Sequence, residues 1–307
     1  MLQTKGSAVY VMGEALMDCI AQSDASLKPC MGGSPFNFAR AAALRGAEVC
    51  FVNPLSSDSF GEQMRRQLAQ DGVKTVLPAS RLPTSLAVVQ IKAGQASYAF
   101  YRQGIADRDY NVEQILSLLS RREPGVLNTG SLLLIPPESD KVQAVLQGAK
   151  RMGWTISMDV NMRPQIASDV GQYVKAVKLL LPMVDWVKAS DEDLALLGFA
   201  APTRTKCKDI AKHFTDMGAS RVAFTFGSEG AWLHVEGETA EQDVPAIALV
   251  DSVGAGDTFW GNCVADWVLQ TEGAASRVAH TLQQAMHAAA INCTREGCQP
   301  PTYAALL

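Results

Sequence analysis

The sequence predicts a three-layer α/β domain: a central, mostly parallel sheet between helical layers, with a small β-sheet lid. Three observations carry this expectation. From residue 125 onward, strand-like apolar runs alternate with helix-like runs, a pattern that forces a parallel sheet with both faces covered. At 84–103 two strand-like runs follow each other with no helix between them, so they form an antiparallel hairpin apart from the main sheet. At 251–257 the small-residue turn DSVGAGD precedes a helical run, which makes an anion-attracting helix start.

Taken in order, 8–12 (AVYVM) is a short buried strand ending in Gly13-Glu14. LMDCIA at 16–21 is a second strand with Asp18 in its middle. That acid either faces water or accepts hydrogen bonds from ligand hydroxyls, because an unpaired carboxylate in an apolar strand is costly. Gly32-Gly33-Ser34-Pro35-Phe36-Asn37 enters a helix over 36–45 that Gly46 stops. Asn37 falls in its first turn, where its amide faces a ligand held above the glycines; a plain tight turn is the other reading. A strand at 48–53 and a helix at 60–70 follow. The hairpin turns at Gly94-Gln95, and with the strand at 16–21 and its continuation it forms the lid. The lid segments are 15–31 and 84–105 of one domain spanning 1–307. Arg102, at the hairpin's end, is a ligand contact or a solvated charge.

Further strands fall at 125–128, 154–160, 186–188 and 221–226, with helices at 137–152, 170–181, 191–197 and 206–217. Ligands of such sheets lie beyond the carboxyl ends of the strands. DVNMRP (159–164) places Asp159, Asn161 and Arg163 at one such end. In KASDED (188–193), Ser190 and Asp193 have capping-box spacing, which accounts for them without a metal. The glycines of FTFGSEG (224–230) admit a nucleotide to the backbone or make a β-turn. The run 244–250 reads as a strand and 258–270 as a helix. Between them stands Asp257. A carboxylate at an anion cradle repels phosphate, so it has a purpose there: either it helps start the helix, or it abstracts the proton of a hydroxyl that receives a phosphoryl group.

Composition narrows the classes. With 48% apolar and 19% charged residues, the 307-residue chain can bury a large core. A net charge of −4 without a long basic run argues against nucleic acid or anionic membrane as the main partner. No apolar run spans a bilayer, and residues 1–7 lack a signal-peptide pattern. The seven cysteines are scattered without CxxC spacing, so reduced thiols in a cytoplasmic protein are expected and zinc is not. Absence of a Walker A sequence, and of GxGxxG after the first strand, argues against a P-loop enzyme and a dinucleotide-binding dehydrogenase.

GGSPFNFA with Gly46 and Phe60-Gly61 downstream, and DSVGAGDTFWG near the end, resemble the two signatures of the ribokinase-like (PfkB) carbohydrate kinases. GEALMD, FYRQGIAD, DVNMRP and KASDED are similar to that family's fructokinase branch, and the likeness covers nearly the whole chain. It implies an ATP-dependent sugar kinase, with fructose phosphorylated at its terminal hydroxyl as the leading reaction. A 2-keto-3-deoxygluconate kinase and a catalytically idle sugar-binding protein are the alternatives. By resemblance, Asp257 is the base, and the backbone of Gly254, Ala255 and Gly256 is the anion hole. Asp18, Gly33, Asn37, Arg102 and Arg163 bind the sugar side. Lys188, Thr225, Gly227, Gly230, Ala289 and Asn292 line the ATP side, with Cys293 beside them. Asp193 organises magnesium through water, and Asp251 and Val253 offer oxygens to a monovalent cation such as potassium. The sequence departs from the family pattern at Ser190, Asp193, Ser56-Ser57-Asp58 and Asn262. A homodimer through the apolar lid face is also expected.

Overall fold

In the computed structural model, which describes residues 7–92, 95–270 and 273–306, the strands form two sheets. The larger sheet has nine strands. In chain order they are β1 (Val9–Val11), β4 (Val49–Phe51), β5 (Val73–Thr75), β8 (Val126–Gly130), β9 (Thr155–Asp159), β10 (Trp186–Ser190), β11 (Arg221–Thr225), β12 (Ala231–Val235) and β13 (Glu238–Gln242). The spatial order is β13-β12-β11-β10-β9-β8-β1-β4-β5. All neighbours pair in parallel except those involving β12 and β13, which form an antiparallel edge.

Strand periodicity divides the core. Val9 and Val11 belong to one apolar cluster, Tyr10 and Met12 to the other, because alternate side chains leave opposite faces of the sheet. One face packs helices α1 (Ser34–Leu44), α2 (Ser59–Gln70), α8 (Ala255–Leu269) and α9 (Val278–Cys293). The other packs α3 (Val112–Leu119), α4 (Glu138–Arg151), α5 (Val170–Leu180), α6 (Asp191–Leu196) and α7 (Cys207–Asp216). The elements expected from 125 to 226 lie within a residue or two of their observed ends.

The second sheet is the lid: β2 (Leu16–Ala21), β3 (Leu27–Gly32), β6 (Ser85–Lys92) and β7 (Gln95–Tyr101), in the order β3-β2-β6-β7. The hairpin stands outside the main sheet, as its interruption of the alternation required. Gly94 of the expected turn lies outside the described residues. β2 and β6 run parallel, with Asp18 opposite Ala87, so two distant stretches are stitched into one sheet.

One element differs. The run at 244–250 is not a strand. Pro245 lacks an N–H for a ladder, and Leu249 and Val250 are exposed rather than buried. The Val250 N–H donates to the Cys293 carbonyl at 2.9 Å, so the segment is tied to the end of α9. Among the described residues, no helix is long and apolar enough to cross a membrane.

Candidate active site

Glycines bring α1 and α8 together. A Cβ at Gly261 would lie 2.9 Å from the Phe38 carbonyl oxygen, so only glycine permits this approach. Trp260 donates from Nε1 to Ser157 Oγ (3.1 Å), fixing α8 to the sheet. The start of α8 therefore faces the start of α1, although the two are far apart in sequence. Asp257, in the first turn of α8, is buried. Its Oδ1 accepts from Ser34 Oγ at 2.7 Å and its Oδ2 from Asn37 Nδ2 at 2.9 Å. The turn before α8 depends on Gly254, which has φ +74° and whose Cβ would meet Cys298 Sγ at 2.2 Å. The Ala255 N–H closes that turn onto the Ser252 carbonyl at 3.2 Å. Among the described residues no acceptor takes the N–H of Gly254 or Gly256, so both remain available at the positive end of the helix.

Lys188 lies beside this cradle. Parallel pairing puts Lys188 opposite Asp159, and its Nζ donates to both Asp159 oxygens at 2.9 and 3.0 Å. A Cβ at Gly256 would stand 3.1 Å from the same Nζ. Burial pulls the Lys188 ammonium down, but Asp159, Asp193 and Asp257 outweigh it and hold the group above its ordinary value. Burial pushes the Asp159 carboxyl up, with Lys188 pulling the other way. A charged amine is thus kept beside a helix N-terminus, an arrangement that holds phosphate oxygens.

On the lid side, Asp18 is half-buried, and among the described residues no hydrogen bond reaches its carboxylate. Burial raises its pKa to about 6, against the pull of Arg163. Its Oδ2 lies over Gly32, where a Cβ would approach to 2.2 Å. Gly33 has φ +105° and a Cβ there would meet the Glu14 carbonyl oxygen at 2.7 Å. Asn37 leaves its Oδ1 buried and without a partner. Arg163 is exposed and forms no ion pair among the described residues. Arg102 is placed differently: it is buried, with NH1 donating to Ser85 Oγ (3.0 Å) and to Asp107 Oδ2 (3.1 Å).

The remaining expected residues lie at the end of β11 and the turn after it, on α9, and in the loop before α8. Thr225 ends β11; Gly227 and Gly230 follow with φ +51° and +103°. Ala289 is partly buried on α9. Asn292 is fully buried and occupied: its Nδ2 donates to the Val253 carbonyl (2.8 Å), and its Oδ1 accepts from the Gln299 N–H (2.7 Å). Asp251 accepts from the N–H groups of Val253 (3.0 Å) and Gly297 (2.8 Å), so its carboxylate shapes the loop before the cradle.

Asp193 accepts from the N–H groups of Met162 (2.7 Å), Ser190 (2.8 Å) and Asn161 (3.2 Å), while Ser190 Oγ accepts from the Asp193 N–H. The capping box is complete, and the carboxylate also ties the loop after β9 to α6. Among the described residues no cluster of three acidic, His or Cys side chains can hold a metal. These donors do not make a protein cage for magnesium, and both Asp193 oxygens are already taken by backbone N–H groups. Sequence reasoning passed over Ser34 and Glu14. Ser34 has a signal, being a hydroxyl at a helix start; nothing in one sequence marks Glu14 beyond its place at a strand's carboxyl end.

A buried carboxylate beside free N–H groups and a charged amine, under a β lid on an α/β sheet, defines a phosphotransferase acting on a hydroxyl-bearing small molecule. A sequence profile of the pfkB family of carbohydrate kinases matches residues 7–305, and the chain belongs to that family. It is 29% identical over 283 residues to a fructokinase of Rhizobium leguminosarum bv. trifolii, covering 91% of this chain and 85% of that one. It is 30% identical to a fructokinase of Vibrio alginolyticus, over 84% of this chain and 83% of that one. Among solved structures, a fructokinase of Xylella fastidiosa with bound ATP aligns over 97% of both chains at 25% identity, with TM-score 0.81. A mutant fructokinase of Vibrio cholerae O395, bound to fructose, ADP and potassium, shares the fold at TM-score 0.84 and 23% identity, over 98% of this chain and 97% of that one.

Proposed function

We propose that this kinase transfers the γ-phosphoryl group of ATP to the terminal hydroxyl of D-fructose, with Asp257 as general base. The observation that carries this reading is the Asp257 carboxylate. It is clamped by Ser34 and Asn37 from one signature and stands within one helical turn of the free N–H groups of Gly254 and Gly256 from the other. Curated relatives similar to the chain over most of its length include fructokinases, which supports the sugar.

In this reading the acceptor hydroxyl displaces the Asn37 contact and donates to Asp257, which takes its proton as the phosphoryl group moves. The free N–H groups and Lys188 stabilise charge on the transferring oxygens. Asp193 would be the residue that organises, through water, a magnesium ion brought with ATP, which would supply charge neutralisation on the phosphates. Asp18, Gly33, Asn37 and Arg163 face the sugar, and Arg102 backs them from the interior. Thr225, Gly227, Gly230, Ala289 and the loop held by Asn292 line the nucleotide side. The carbonyls around Asp251 and Val253 would take potassium. Leu27 and Tyr101, 49% and 61% exposed on the lid strands, support a homodimer through the lid. The seven unpaired cysteines support a cytoplasmic setting.

2-Keto-3-deoxygluconate is the competing acceptor, favoured by Arg163, whose guanidinium donates to the Asn161 and Met162 carbonyls but forms no ion pair among the described residues, so a substrate carboxylate would pair it. ATP consumption against fructose, ribose, 2-keto-3-deoxygluconate and adenosine decides. Fructose giving the highest kcat/KM is the expected result; turnover of none returns the idle scaffold. A single monomeric species in sedimentation at micromolar concentration rules out the dimer.

A further inference from the structure

Glu14 follows β1 at the carboxyl edge of the sheet, 1% exposed. One of its oxygens, Oε1, accepts from the Ser34 N–H at 3.3 Å; the other, Oε2, is buried with no partner. Arg102, at the root of lid strand β7, is in the complementary state. Its NH1 and NH2 are spent on Asp107, at 3.1 and 3.4 Å, while its Nε is buried with no partner. A buried carboxylate using half its acceptors is expensive to keep: burial pushes the Glu14 carboxyl up, and the positive charge of Arg102 pulls the other way without overcoming it. Ser34 faces both ways: its N–H goes to Glu14 and its Oγ to Asp257 Oδ1 at 2.7 Å. A continuous chain of contacts therefore runs from Glu14 to Ser34 to Asp257, with the charge of Arg102 beside its far end.

We propose that Glu14 is a positioning residue for Asp257, acting through Ser34. Glu14 touches no reacting atom. It fixes the backbone of Ser34, and so fixes where the serine hydroxyl holds the base. Loss of the Glu14 contact lets the base wander by a fraction of an ångström, which lowers kcat without disturbing the nucleotide side. The proposal rests on Asp257 being the base.

The test is a double-mutant cycle on the full chain, with D-fructose or the panel sugar the unmodified enzyme turns over fastest. Glu14→Gln keeps an oxygen for the Ser34 N–H but removes its charge, so it weakens that contact from a charge-assisted to a neutral hydrogen bond without changing shape. Glu14→Gln and Ser34→Ala should each lower kcat about tenfold with the KM for ATP unchanged, and the pair together about tenfold rather than about a hundredfold. Additive losses, or wild-type kcat in a folded Glu14→Gln protein, overturn the proposal. Wild-type kcat in Ser34→Ala overturns it whatever Glu14→Gln does, because the contact passes through that hydroxyl. Asp257→Asn is the reference: if it keeps turnover, the base reading has failed; if it is inactive while the cycle is additive, only the positioning role has failed.

Discussion

Asp257→Asn isolates proton abstraction from structure because the surrounding residues can accept the amide. In the native site both carboxylate oxygens receive donors, Ser34 Oγ at 2.7 Å and Asn37 Nδ2 at 2.9 Å. An amide at 257 presents one oxygen and one N–H₂. The Ser34 hydroxyl can rotate to accept, or Asn37 can turn its amide and offer Oδ1, which has no other partner. The folded state then loses about one charge-assisted hydrogen bond, roughly 1–2 kcal/mol. In a chain of this size that is a fall in Tm of a few degrees. Removing the base should cost far more in rate: about 10²- to 10⁴-fold in kcat. Circular dichroism melts paired with a coupled ATP-consumption assay on the same preparation separate the two. A folded Asp257→Asn protein turning over within a few-fold of wild type would refute the assignment of the base.

Asp18 should link pH to stability and, as a sugar contact, to kcat/KM. Its folded pKa is about 6 against an ordinary 3.8, so the fold favours the neutral acid. That contribution is fully present below the ordinary value and is lost as pH rises through about 6, where the charged group burdens the fold. Asp18→Asn should therefore raise Tm at pH 8 by up to the equivalent of about 3 kcal/mol, gain nothing near pH 4, and lower kcat/KM for the sugar about tenfold or more. Equal Tm gains at both pH values would rule out titration of Asp18 as the cause. In the wild type, kcat/KM for the sugar should fall as pH drops through about 6. At the cradle, Gly254→Ala should destabilise by about 2–5 kcal/mol, since it combines a left-handed backbone with a clash on Cys298. Gly256→Ala meets only the flexible tip of Lys188 and should fold, with the loss appearing in the KM for ATP. Comparable melting temperatures for the two alanine variants would contradict the close approach at Gly254.

The β-α alternation made the sheet legible because parallel strands buried on both faces read as apolar runs, and their caps are local: Ser190 with Asp193 is visible as letters and present as a bonded box. The run at 244–250 misled for the same reason. Apolar letters report contact with something apolar, not which backbone partner is left, and here Pro245 and exposed Leu249 and Val250 leave the sheet. The first strands were readable, yet their assembly was only partly so, because β2–β6 pairing joins stretches about 70 residues apart. In the site, residues with a chemical reason at their own position, such as Asp257 and Asp18, stood out. Residues whose role exists only after folding did not. Ser34 and Glu14 matter through what α8 and the lid bring to them, and Arg102 was read as a surface or ligand charge although Asp107 holds it inside.

The lid is joined to the body by four strands of chain, not two. One pair passes through Ala15 and Gly33, the other through Thr84 and Arg102. A flap hung on two separate pins cannot slide sideways or spin as a loop does; its cheapest motion is a swing about the line through both pins. Ser85, Arg102 and Asp107 brace one pin, and Glu14 with the Ser34 backbone braces the other. Loosening at either pin should therefore tilt the whole small sheet at once rather than fray one of its strands.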